Sequence, residues 1–131
     1  KSALAFLFLQ KGTPCIYYGT ELSMTGGPDP DCRRCMPWER VSSDNDMLNF
    51  MKIIQIRKHA SAIIQHGKYN LQEITQDVVV LEWKYESRVL KAIFNQSKDD
   101  YLLEKETVAL ASNYQELENQ LVISPNGFVI F

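Results

Sequence analysis

Asp29, Asp31, Arg33 and Arg34 lie within one short stretch, Gly26-Gly27-Pro28-Asp29-Pro30-Asp31-Cys32-Arg33-Arg34-Cys35-Met36-Pro37-Trp38. Carboxylate and guanidinium are planar groups that make paired hydrogen bonds to neighbouring hydroxyls, so Asp29 and Arg33 suit a polyhydroxylated ligand. Four residues apart, they suit equally an ion pair that holds the loop, and both readings stand at this point. Arg34 is a secondary candidate. Trp38 offers either a flat face for stacking or an anchor into a core. Glu21 reads as structural, bonding neighbouring loops. Glu21, Asp29, Asp31 and Glu39 are the acids at hand, but a nucleophile and a proton donor paired on such a loop is the weaker reading, and no residue is assigned to catalysis.

Cys15, Cys32 and Cys35 make an odd set with one C-x-x-C pair. Zinc needs four ligands, and His59 and His66 sit far downstream in a different pattern, so no metal site is assigned. The thiols read as free, which fits a reducing, cytoplasmic setting.

These side chains must be carried by something. Gly12 and Pro14 stop the preceding segment, Cys15 to Tyr18 is an apolar run of buried-strand length, and Gly19 breaks it. A loop as long as the one that follows is functional or disordered inside a compact domain, and its charge, Trp and Pro favour function. Upstream, Ala3 to Leu9 reads as a buried helix ending at Gly12. Lys1 with this run imitates a signal peptide, but no small-residue cleavage site follows before Gly12, and the run is too short to span a bilayer. Lys at position 1 suggests a segment cut from something longer.

Downstream, Ser43 with Asp46 resembles a capping box. Met47, Phe50, Met51 and Ile54 then recur at helical spacing, with Arg57-Lys58-His59 as exposed charges suited to the helix C-terminus. From Tyr69 the period changes to two. Val78 to Tyr85 and Val89 to Asn95 read as a hairpin across Glu86-Ser87. Gln96 to Asp100 is a polar turn. Leu102-Leu103, Thr107 to Ala111 and Leu121 to Ile123 are short strands, and Pro125-Asn126-Gly127 should fold Phe128 to Phe131 back on the last of them. Short strands with turns between them predict an antiparallel sandwich.

The pattern G-x-P-x-x-Y-Y-G-x-E, then G-G-x-D-P-D-C-R-R and M-P-W, resembles the segment after the last barrel strand in the α-amylase family of glycoside hydrolases. D-P-D-C-R-R is most similar to its neopullulanase, maltogenic amylase and cyclomaltodextrinase branch. The resemblance implies the C-terminal piece of a (β/α)8 barrel over residues 1–66, then a Greek-key-like antiparallel β-sandwich over 67–131. Ala3 to Leu9 would be the helix before the eighth strand, the helix opened by Ser43 to Asp46 and ending in Arg57-Lys58-His59 the eighth helix, and Ala60 to Gly67 the connection out of the barrel. It implies that Asp29 and Arg33 contact glucose units, and that the catalytic carboxylates lie on earlier strands, upstream of Lys1. The 131 residues alone are then expected to be silent, and the longer protein to hydrolyse α-1,4 links in maltodextrin, cyclodextrin or pullulan. No cofactor is expected in this segment, and the resemblance leaves room for calcium in the longer protein.

A net charge of −2 with 45% apolar and 23% charged residues is ordinary. It supplies no electrostatic reason to expect nucleic acid or an anionic membrane as partner. Two rival readings belong to other classes. One is a free-standing carbohydrate-binding or structural sandwich, which an exposed aromatic row from Trp83, Tyr85 or Tyr101 would support. The other is a metal or thiol protein built on Cys32 and Cys35. Residues 1–18 read as barrel elements without their neighbours, so this segment should pair with another copy, giving a homo-oligomer, or pack in a non-barrel way.

Overall fold

The computed structural model describes residues 1–41, 45–75 and 77–131. Three helices, α1 (Ser2–Phe8), α2 (Asn45–His59) and α3 (Ser61–His66), precede six strands. The strands are β1 (Lys68–Thr75), β2 (Val78–Tyr85), β3 (Arg88–Asn95), β4 (Tyr101–Glu104), β5 (Leu110–Glu116) and β6 (Gln120–Ile130). All pairings are antiparallel, in the order β1-β2-β3-β6-β4 with β5 also on β6. Because β3 pairs with β6 and not with β4, the chain crosses over in the manner of a Greek key. The sheet curls about β6 as a half-barrel.

Strict alternation along β2, β3 and β6 sends one set of side chains to each face. Leu81, Trp83, Ala92, Phe94, Phe128 and Ile130 pack against Ala5, Phe8, Leu9, Ile53 and Ile64 from the helices. Val78, Ile93, Ile123 and Val129 form a second cluster on the opposite face. The helices therefore cover one side of the sheet, and the curl closes over the other.

A seven-residue helix without a side-chain cap is not stable alone, so α1 exists because it is held. Ser2 Oγ donates to the carbonyl of Asn126 on β6 at 2.6 Å. At the other end the buried Trp83 indole Nε1 donates to the Leu9 carbonyl at 2.9 Å. Arg57 of α2 donates to the Gln10 carbonyl at 3.0 Å and also to that of Gly12. Tyr69 lies 4.6 Å from the Trp83 ring, its hydroxyl donating to Gln10 Oε1 at 3.1 Å. Arg57 was expected among exposed charges at its own helix end. It serves another helix's end instead, because the carbonyls leaving α1 have no intrahelical partners.

Four expectations are corrected. Cys15 to Tyr17 form no strand and Tyr18 is already in a turn, with Cys15, Tyr17 and Tyr18 exposed and Ile16 alone packed on the core. A strand exists by pairing, and among the described residues none lies alongside it. Residues 107–109 stay outside β5. Pro125-Asn126-Gly127 does not reverse the chain: β6 runs through it. Against β5, the register steps from Ser112↔Phe128 to Tyr114↔Ile123, so residues 124–127 bulge. Asn113 and Asn126 face this step with φ of 50° and 60°. The Ser43 and Asp46 capping box lies outside the described side chains. The stretch from Ala60 to Gly67, expected as a connection, contains α3.

Two substitutions test this account. Trp83→Phe keeps an aromatic ring but strands the buried Leu9 carbonyl and leaves the space of the lost pyrrole ring unfilled, and urea unfolding should show a loss of about 2–4 kcal/mol. A Cβ on Gly127 meets the Asn113 and Ser124 carbonyl oxygens at 2.5 and 2.7 Å. Gly127→Ala should therefore cost about 1–3 kcal/mol in the same measurement.

Candidate functional site

The loop between α1 and α2 is shaped by backbone groups that it bonds itself. Gly19, with φ of 83°, lets the chain turn into a short 3-10 helix, Thr20–Leu22. Its carbonyl accepts the Leu22 and Met24 N–H groups at 3.1 and 2.9 Å. A second such turn, Asp31–Arg33, follows the cis Asp29-Pro30 peptide. A third, Trp38–Arg40, is tied back when Arg40 donates to the Leu22 carbonyl at 2.7 Å.

Within this frame the four charged residues separate into two pairs with different geometry. Arg34 grips Asp31 with both ends of its fork, Nε to Oδ1 and Nη2 to Oδ2, each at 2.7 Å. Asp31 Oδ2 also accepts the Gly27 N–H at 2.8 Å, and the Tyr18 hydroxyl donates to the Arg34 carbonyl at 2.9 Å. The Arg34 bonds come first, and the Gly27 N–H second, in holding the Asp31 carboxyl below its ordinary value. Asp29 and Arg33 meet through a single bond, Nη2 to Oδ2 at 3.0 Å, with their side chains 60% and 70% exposed. Both can turn unused donors and acceptors outward.

The sequence reading brought Asp29 and Arg33 together correctly but left Asp31 unassigned. The signal was present: Asp31 precedes Arg34 by three residues, one turn of a tight helix. Trp38 is 74% exposed, so the reading that sets it in a core is corrected, and a ring face is left on the loop surface. A cleft of about 230 Å³ lies beside these residues, lined by Tyr17, Tyr18, Thr20, Met24, Cys32 and Arg34. Glu21 faces a separate hollow between α1 and α2. Cys15, Cys32 and Cys35 are exposed free thiols. Among the described residues no three His, Cys, Asp or Glu side chains cluster as a metal site. No described helix is long and apolar enough to cross a membrane.

The aromatic row that a free-standing carbohydrate-binding sandwich would need is not on the surface. Trp83 is 2% exposed, and Tyr85 and Tyr101 are half-buried.

No family model matches the chain. Individual relatives do. The intracellular maltogenic amylase of Bacillus subtilis (strain 168) is 40% identical over 99 residues, which is 73% of this chain and 17% of that protein. A cyclomaltodextrinase of Thermoanaerobacter pseudethanolicus is 31% identical over 137 residues, covering 99% of this chain and 24% of the relative. Neopullulanase 2 of Thermoactinomyces vulgaris is 40% identical over 65 residues, 50% of this chain and 11% of its own. Among solved structures, the maltogenic amylase of S. marinus superposes with a TM-score of 0.74 at 25% identity, over 98% of this chain and 18% of that one. The chain thus spans less than a quarter of the length of these proteins.

The clasp on Asp31 predicts how that carboxyl titrates. With its folded-state pKa depressed, Asp31 contributes loop order that is complete above its unfolded value and is lost as pH falls through the lowered one. Carboxyl carbon NMR should place the Asp31 midpoint below 3.8, and Arg34→Ala should move it upward.

Proposed function

The chain is a relative of the maltogenic amylases, cyclomaltodextrinases and neopullulanases of the α-amylase family, and on that premise we propose that it forms the C-terminal part of a retaining α-glucan hydrolase. In this reading α1, the segment around Ile16 and α2 are the last helix, strand and helix of a (β/α)8 barrel. The curled sheet is the domain that follows. The exposure of Tyr17 and Tyr18 in an apolar run without strand partners among the described residues supports it, since barrel neighbours would cover such a run on both sides.

Strands of a barrel open at their C-terminal ends onto the substrate, which directs the loop from Glu21 to Trp38 toward the sugar. One observation carries the assignment of roles there. Asp31 and Arg34 spend their hydrogen bonds on each other and on the loop, whereas Asp29 and Arg33 keep theirs largely facing solvent. Asp31 and Arg34 therefore hold the loop, and Asp29 and Arg33 bind adjacent hydroxyls of a glucose unit. Trp38 supplies a ring face nearby. In a retaining mechanism one carboxylate attacks the anomeric carbon while a carboxylic acid about 5–5.5 Å away protonates the leaving oxygen. Those acids belong to upstream strands, and these 131 residues bind or orient without cutting. The substrates are α-1,4-linked glucans such as maltodextrin, cyclodextrin or pullulan, and the setting is cytoplasmic. Any calcium belongs to the longer protein, and pairing of copies through the uncovered barrel segment accounts for a homo-oligomer.

In the full-length enzyme, Asp29→Ala and Arg33→Ala should each raise KM for maltodextrin about tenfold, the scale of one lost hydrogen bond to a charged group. Thermal midpoints should stay unchanged. Wild-type kinetic constants in both variants would remove the assignment, and glucan cleavage by the 131 residues alone would overturn the division of labour.

A further inference from the structure

The face of the sheet turned away from the helices carries a groove of about 340 Å³ between the first three strands and β4. Its floor is Val80, Ile93 and Leu103, backed by the second hydrophobic cluster. Along one side runs a polar row set by strand register, Asn70 opposite Glu82 and Glu82 opposite Lys91. The charges in this row are already matched. Glu82 pairs with Lys84 at 2.8 Å and Lys91 with Glu106 at 2.9 Å. What remains without a side-chain partner among the described residues is the amides of Asn70 and Gln72, the Tyr101 hydroxyl and the Glu104 carboxylate. An apolar strip beside unspent amides, a phenol hydroxyl and one acceptor carboxylate matches a pyranose, which has an apolar ring face and a hydroxyl rim.

We propose that this groove is a second carbohydrate-binding site, taking a neutral α-linked glucan of two or three units. The choice of an α-glucan rests on the family reading above, whereas the excess of carboxylates in the groove, with Glu104 unpaired beside the Glu82 and Glu106 ion pairs, disfavours an anionic ligand. The site lies on the opposite face of the sheet from the helices that frame the Asp29 and Arg33 loop, so one glucan chain held in the groove would be a tether and not a substrate in place.

The test is a nitrogen-15 NMR titration of the 131-residue chain with maltoheptaose to about 10 mM, the range in which a site of millimolar affinity fills. Expected are shifts at Asn70, Gln72, Tyr101 and Glu104. The Asn70→Ala, Gln72→Ala double variant, changed only at exposed positions, should weaken them about tenfold in affinity. Asp29→Ala should leave them as they are. Shifts confined to residues 26–38 would overturn the groove and leave the loop assignment standing. Groove shifts with a silent loop support the groove and count against the loop, so the two readings fail separately.

Discussion

The carbonyl end of α1 is the constraint on which the arrangement depends. Two turns of helix end in a run of backbone oxygens without intrahelical partners, the innermost of which, that of Leu9, is buried. They are satisfied from two distant parts of the chain, the Trp83 indole on β2 and the Arg57 guanidinium on α2. Those bonds fix where α1 stops, and hence where the loop bearing the charged residues begins. The Tyr69 ring and hydroxyl close the same junction from β1. The sheet, the long helix and the loop are thus referenced to a single point.

A similar economy joins the two faces of the sheet. Asn95 is fully buried, yet every polar atom of its amide is used: its nitrogen donates to the Asp99 and Ile123 carbonyls, and its oxygen accepts from Ser97 N and Oγ. It ties the turn after β3 to the middle of β6, where the sheet begins to curl. With β6 anchored there and bulged at Pro125-Asn126-Gly127, its C-terminal half pairs with β3 and its N-terminal half with β4 while β5 follows both, and the interior closes without a second independent sheet.

How far the sequence could be read follows from which interactions are local. The β2–β3 hairpin was legible because alternation and a two-residue turn lie within one window. The Asp29 and Arg33 pairing was legible because four residues of tight turn bring them together. The Pro-Asn-Gly bulge was not, since the same residues serve a reversal or a bulge equally well. What decides is Asn113, on a partner strand. The tyrosine strand failed for a related reason: its apolar run is real, but pairing requires edges that these residues do not contain. Arg57 looked like an ordinary helix-end cation until the oxygens of another helix came within its reach.

The clasp of Asp31 by Arg34 and the Gly27 amide is drawn wholly from within its own short segment, with Tyr18 touching only a backbone oxygen. Such a cassette keeps its shape whatever side chains project from positions 29 and 33. Substitution at those two positions would therefore change what the loop presents to solvent while the Asp31, Arg34 and Gly27 bonds beneath stay in place.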